Sequence, residues 1–256
     1  MNRAWNQLLT RLLPFADVAS ADMPLKRLLR LSLFQVSVGM AIVLLNGTLN
    51  RVLVVEMGVS AWLVALMVSL PLVFAPLRAL IGHRSDYHHS AFGLRRVPYL
   101  WMGSMLQFGG FAIMPFALIL LADEANKLQL MGEAFSALSF LLVGAGLHTT
   151  QTAGLALATD ITPEETRPRV VALLYVTLLL GMVGSALLFG RMLEDFSQAK
   201  LISVIQGAAV ATIFLNLIAL WKQEAIDLKR AAEVPERPPF GAAWRDFIQG
   251  GVRVGY

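Results

Sequence analysis

Six long apolar runs, divided by short polar stretches, set the pattern of the chain. They lie near Leu31 to Val55, Ala61 to Ile81, Val97 to Ala122, Ala134 to Thr159, Val170 to Leu193 and Leu201 to Trp221. Each is long enough to cross roughly 30 Å of hydrocarbon at about 1.5 Å of rise per residue. The runs are too long and too unalternated for barrel strands, and lipid offers no water to unpaired backbone groups, so the expected form is helical. The pattern therefore predicts an all-α membrane protein with six transmembrane helices. Residues 1–28 form an N-terminal arm, 29–222 the six-helix bundle and 223–256 a charged, proline-rich linker. In the arm, Trp5, Leu8, Leu9, Leu12 and Leu13 recur at helical spacing beside Arg3 and Arg11, which predicts a short interfacial helix ended by Pro14.

Local signals refine the ends and contacts of these helices. Thr162, Pro163 and Glu165 have the spacing of a capping box, with Thr162 as N-cap of the fifth span. Small residues that permit close helix approach recur as Gly103, Gly109 and Gly110 in the third span and as Gly181, Gly184, Ser185 and Gly190 in the fifth.

Composition agrees with the pattern: 57% of the 256 residues are hydrophobic and only 15% charged, less charge than a water-soluble domain carries. Cysteine is absent, which excludes disulfides, thiolate metal sites and cysteine nucleophiles. Lys and Arg concentrate in the arm, the second-to-third loop, the fourth-to-fifth loop and the tail, so the positive-inside rule places both termini of this chain in the cytoplasm. Anionic lipid at that face accounts for the net charge of +4 without nucleic acid. The first thirty residues show no h-region or small-residue cleavage site, so no cleavable signal peptide is expected and the first span is expected to serve as its own targeting signal.

No Asp or Glu falls inside any of the six runs, so the carboxylate that proton- or ion-coupled transport ordinarily requires is missing, and no nucleophile and base pair points to an enzyme. Arg78 stands near the end of the second span, where it can snorkel to the interface. Asn46 and Asn50, one turn apart in the first span, suit either a helix–helix hydrogen bond or a substrate contact. In the second-to-third loop, Gly82 and Asp86 are followed by Gly93, Arg95 and Arg96, an acid and a basic pair on a tight turn, beside His83, His88 and His89. A short exposed loop rarely fixes metal-ligand geometry, and no metal site is assigned there.

The stretch "GAGLHTTQTAGLALATD" contains His148, the one histidine in any span. On a helix Gly144, His148, Gln151, Thr152 and Leu155 share a face, and Ala145, Thr149, Ala153 and Ala156 form an adjacent small-residue ribbon. His148 suits two roles. A neutral imidazole can be the axial ligand of a chlorin magnesium, with Gly144 leaving room for a flat ring, or it can be hydrogen-bonded across the bundle.

Four strings carry a family resemblance: "LNRVLVVEMGVSAWLVALMVSLPLVFAPLRALIGHRSD", "GLRRVPYLWMGSMLQFGG", "GAGLHTTQTAGLALATDITPEETRPRVVALLY" and "VIQGAAVATIFLNLIALWKQE". From about Leu25 to Glu224 the chain resembles the PucC and LhaA family, light-harvesting assembly factors of purple phototrophic bacteria and a bacteriochlorophyll-delivery branch of the major facilitator superfamily. The resemblance implies the N-terminal half of a twelve-span fold, with the linker leading toward a second half. It implies an assembly factor rather than an enzyme, with the LhaA type, which serves the core LH1 ring around the reaction centre, favoured. The implied partners are antenna polypeptides, the reaction centre–LH1 complex, pigment-biosynthesis proteins and the lipid bilayer. The implied place is the intracytoplasmic photosynthetic membrane, and bacteriochlorophyll a is the implied cofactor or cargo. His148, Gln151, Thr152, Asn46 and Asn50 are then candidate pigment or ligand contacts. Gly82, Asp86, Gly93, Arg95 and Arg96 look like the superfamily's second-to-third-loop motif, which holds and switches two halves. A small-molecule transporter and a static subunit of a reaction centre–antenna complex are the alternative readings.

Overall fold

The computed structural model describes residues 24–86, 94–121 and 129–224, and among them no strand occurs. Gly93, His88, His89, the N-terminal interfacial helix and the tail from residue 225 lie outside the described residues. Among the described residues six helical segments are long and apolar enough to cross a membrane: Leu25–Glu56, Ala61–Asp86, Val97–Leu121, Gln129–Asp160, Glu164–Met192 and Gln198–Leu220. They coincide with the six predicted runs and mostly extend them by a turn or more of polar-ended helix.

The first segment begins as α1 (Leu25–Val43), entered through Pro24 in an extended conformation, and then widens into π-helical turns over Leu44–Leu49 and Val52–Glu56. Gly58, with φ +66°, turns the chain into α2 (Ala61–Ser69), a backbone state that costs glycine nothing. Two prolines interrupt the second span. Pro71 opens a tight 3₁₀ turn over Leu70–Phe74, and Pro76 precedes α3 (Leu77–Asp86). The remaining helices are α4 (Val97–Leu121), α5 (Gln129–Asp160), α6 (Arg167–Met192) and α7 (Gln198–Leu220), the last capped by Ser197, whose hydroxyl accepts from the Lys200 N–H at 3.2 Å.

The α4–α5 pair is the closest packed. A Cβ at Gly103 would stand 2.8 Å from the Gly146 carbonyl, one at Gly146 2.5 Å from the Gln107 nitrogen, and one at Gly110 2.8 Å from the Ser139 carbonyl. Without a hydrophobic force between lipid-solvated helices, such backbone contact supplies the packing energy. The ribbon is therefore Ser139, Val143, Gly146 and Thr150, one position around α5 from the predicted Ala145, Thr149, Ala153 and Ala156 strip. Ala153 instead joins the core group of Leu31, Phe34 and Leu157. Gly181 packs on Val36 of α1, whereas a Cβ at Gly109, Gly184 or Gly190 would meet open space, so these three are not packing glycines among the described residues.

The capping box does not form. The Thr162 hydroxyl donates to the Ala158 carbonyl at 2.5 Å and so closes the end of α5, while Pro163 leads into a short 3₁₀ turn over Glu164–Thr166. The reason is reach: α6 starts only at Arg167, with Pro168 in its first turn, too far from Thr162 for its hydroxyl to cap.

Burial is unequal. In the most apolar stretch of each span, 67% of the first is buried inside the bundle but only 17% of the second. Helix α2 exposes Trp62 and Leu66, and α6 exposes Leu179, Leu180, Val183 and Leu187.

Candidate functional site

Two groups of the predicted residues are assembled by the fold. The first lies between the second span and α5. Successive turns of α5 bring Gly144, His148 and Thr152 to one side, and α3 supplies Arg78, whose Nε donates to the Thr152 hydroxyl at 3.1 Å. Gly82, one turn on from Arg78, is also beside Thr152, at 3.9 Å for a Cβ built there. Arg78 thus has a hydrogen-bonding partner in place of the simple snorkelling expected of it. His148 is half-buried, its Nδ1 is enclosed without a hydrogen-bond partner, and the Arg78 guanidinium and Pro71 backbone are its polar neighbours. Gln151, at the next position around the helix, is buried.

The space expected beside Gly144 is not open. A Cβ there would stand 2.5 Å from the Pro71 Cα, because the proline-broken turn of the second span packs into the notch. The donor chemistry around His148 suits a metal-centred macrocycle, since a free imidazole nitrogen is present. The notch over Gly144 does not, since Pro71 fills it. The imidazole is a polar group with a cation beside it, and the room expected over Gly144 is not available to a flat ring.

The second group closes the basic end of the bundle. Arg96 is only 6% exposed and is held from three directions. It pairs with Asp86 at the end of α3, with Asp160 Oδ2 at the end of α5 at 2.9 Å, and with the Ser85 hydroxyl, to which its Nη1 donates at 2.6 Å. Arg95 reaches the same Asp160 oxygen at 2.5 Å. The predicted Asp86–arginine pair is therefore present, and Asp160 is the member that sequence reading missed.

Glu224 is the second missed residue. Its carboxylate caps α4, accepting from the backbone N–H groups of Arg95 at 2.8 Å, Arg96 at 3.1 Å and Val97 at 3.0 Å. Negative charge at the unpaired N–H groups of a helix start is favourable. Lys222, in a left-handed conformation with φ 52°, turns the chain back after α7 so that Gln223 is buried and Glu224 faces α4. Arg27 Nη2 then donates to the Gln223 carbonyl at 2.6 Å and Arg27 Nε to its side-chain oxygen at 3.2 Å. Gln223 and Glu224 thus pack as part of the bundle. The ends of α1, α3, α4, α5 and α7 are fastened by one connected set of polar contacts.

Asn46 and Asn50 are brought to neither group. Both are exposed in the π-widened part of the first span, and the Asn46 amide donates to the Ile42 carbonyl of its own helix at 3.0 Å, not to another helix. Further along, Arg51 pairs with Glu56 at 3.4 Å on the rim of a cavity of about 230 Å³ that Thr48, Phe189 and Phe196 help to line. The widened turns had no signal in the apolar pattern, and such turns recur at functional sites.

A family model described as PUCC protein matches residues 48–254. The chain belongs to the PucC family. A PucC protein of Rhodovulum sulfidophilum is 62% identical over 246 residues, covering 94% of this chain and 54% of that protein. One of Rhodobacter capsulatus is 56% identical over 237 residues, covering 91% of this chain and 51% of that protein. A more distant relative, the bacteriochlorophyll synthase 44.5 kDa chain of Rhodobacter capsulatus, is 25% identical over 217 residues, covering 83% of this chain and 47% of that protein. The chain thus spans about half the length of the curated PucC relatives it matches. No solved structure matches it.

Proposed function

We propose that the protein is an integral membrane assembly factor for bacterial light-harvesting antennas, acting without catalytic turnover, with antenna polypeptides as partners and bacteriochlorophyll as cargo. Membership of the PucC family supports this reading, and the distant likeness to a bacteriochlorophyll synthase chain favours a pigment as cargo. The observation that carries it is the one-sided bundle. The second span is barely covered, and the polar group of Arg78, His148 and Thr152 runs along its boundary with α5. With relatives about twice as long, the exposed faces of α2 and α6 are where a second helical half would pack, which leaves that polar group beside the seam between halves.

In this reading the charged end, with Asp86, Arg95, Arg96, Asp160 and Glu224, is the cytoplasmic clasp that holds one half rigid. His148, with Thr152 and Gln151, receives a polar group of the arriving polypeptide or pigment. A pigment ring would not lie over Gly144, because Pro71 occupies that notch. Asn46 and Asn50, exposed on the first span, are free to make a second polar contact. The favoured antenna is the core ring around the reaction centre.

Deleting the gene and restoring it tests the function. The proposal predicts that near-infrared antenna absorption falls while free pigment remains, and that loss of the core ring against loss of the peripheral ring identifies the antenna served. Normal antenna levels in the deletion strain, or substrate flux by the purified protein in proteoliposomes, would instead favour a transporter.

A further inference from the structure

At the basic end two recesses adjoin. One, of about 450 Å³, is lined by Pro24, Lys26, Arg27, Arg30 and Lys222. The other, of about 400 Å³, is lined by Val97, Trp101, Leu217, Leu220, Trp221 and Lys222. Among the described residues four cations line the first and no carboxylate does, whereas the second is apolar apart from the lysine they share. The neighbouring acid, Glu224, is committed to the backbone of α4, so it does not neutralise the group. Arg27 is tethered to Gln223, but Arg30 keeps its Nε enclosed with no hydrogen-bond partner, and an arginine nitrogen in that state calls for an acceptor. Lys222 is set between the recesses by its left-handed backbone, a conformation that L side chains rarely adopt and that persists only where the surroundings impose it. Trp101 and Trp221, both exposed, flank the apolar recess as tryptophans do at the headgroup level of a bilayer.

We propose that the two recesses are one site for an anionic phospholipid, with the phosphate among Lys26, Arg30 and Lys222 and an acyl chain lying along Trp101, Leu217 and Trp221. The charge complementarity fixes the headgroup class, and the shared lysine fixes the join between head and tail. The site adjoins the clasp through Arg27 and Gln223, so a bound lipid braces the same helix ends.

Native mass spectrometry of the delipidated full chain, offered phosphatidylglycerol, phosphatidylcholine or inorganic phosphate, tests this. Phosphatidylglycerol is expected to be retained at least about tenfold better than phosphatidylcholine, and each of Lys26→Gln and Lys222→Gln to lower its retention about fivefold, the worth of one surface cation near an anionic lipid. Trp101→Ala is expected to weaken both lipids alike, and Lys200→Gln, away from the site, to change neither. Arg30→Gln provides a variant that breaks no existing bond of the Arg30 Nε, with helicity by circular dichroism confirming the fold. Equal retention of the two lipids, or unchanged phosphatidylglycerol retention in folded lysine and Arg30 variants, would overturn the site. Displacement of the lipid by millimolar inorganic phosphate would overturn the lipid assignment in favour of a free-anion site.

Discussion

The charged end of the bundle and the polar group around His148 use the same kinds of residue to opposite effect. At the charged end nearly every donor has an acceptor: Arg96 has Asp86, Asp160 and Ser85, the first turn of α4 has Glu224, and Arg27 has Gln223. Around His148, Arg78 and Thr152 are bonded, yet Nδ1 of the imidazole is enclosed and unpaired. Elsewhere in the bundle Gln35 leaves both amide atoms unpaired, and Gln107 its oxygen. Buried polar groups without partners are costly, and the more so where lipid replaces water. A satisfied network of this kind is built to hold, and an unsatisfied one keeps capacity for something that arrives.

Breaking the clasp should have the largest effect on stability. Arg96→Leu removes the cation that joins Asp86, Asp160 and Ser85 and is expected to destabilise the protein by about 2 kcal/mol, below the range for a charge left buried, because both carboxylates are partly exposed and Asp160 keeps Arg95. Thermal unfolding in detergent micelles reads this as a lowered midpoint; an unchanged midpoint would mean that the clasp is not structural. Glu224→Gln keeps an acceptor but removes the charge from the α4 N-terminus, and a loss of about 1 kcal/mol is expected by the same measurement. His148→Ala should move the midpoint least, by less than about 1 kcal/mol, since Nδ1 has no partner to lose and only the contact with the Pro71 backbone goes. A large drop there would make the histidine a packing residue and erase the contrast between the regions.

The six spans were legible because an apolar run of membrane length has one inexpensive backbone solution, and their positions follow the pattern closely. What lay between them was less legible, and the reasons are particular. Asp86 beside Arg95 and Arg96 could be paired from the local string, but Asp160 and Glu224 come from distant positions. Glu224 sits 127 residues from the first residue of the helix it caps, at the start of what reads as a linker. Thr162 has the spacing of a cap but serves the preceding helix, because the next one begins four residues further on than a cap requires. Gly144 announces a gap, and only packing shows that Pro71 fills it. The widened turns around Asn46 and Asn50 left no trace in the sequence, since apolar periodicity does not distinguish π from α turns over so short a length.

The most direct test of the division between a holding region and a receiving one is antenna assembly in cells carrying His148→Ala, with the amount of protein in the membrane measured in parallel. The account predicts wild-type amounts of the protein and a several-fold fall in near-infrared antenna absorption. Antenna absorption that stays at the wild-type level, or that falls only in proportion to the protein, would contradict it.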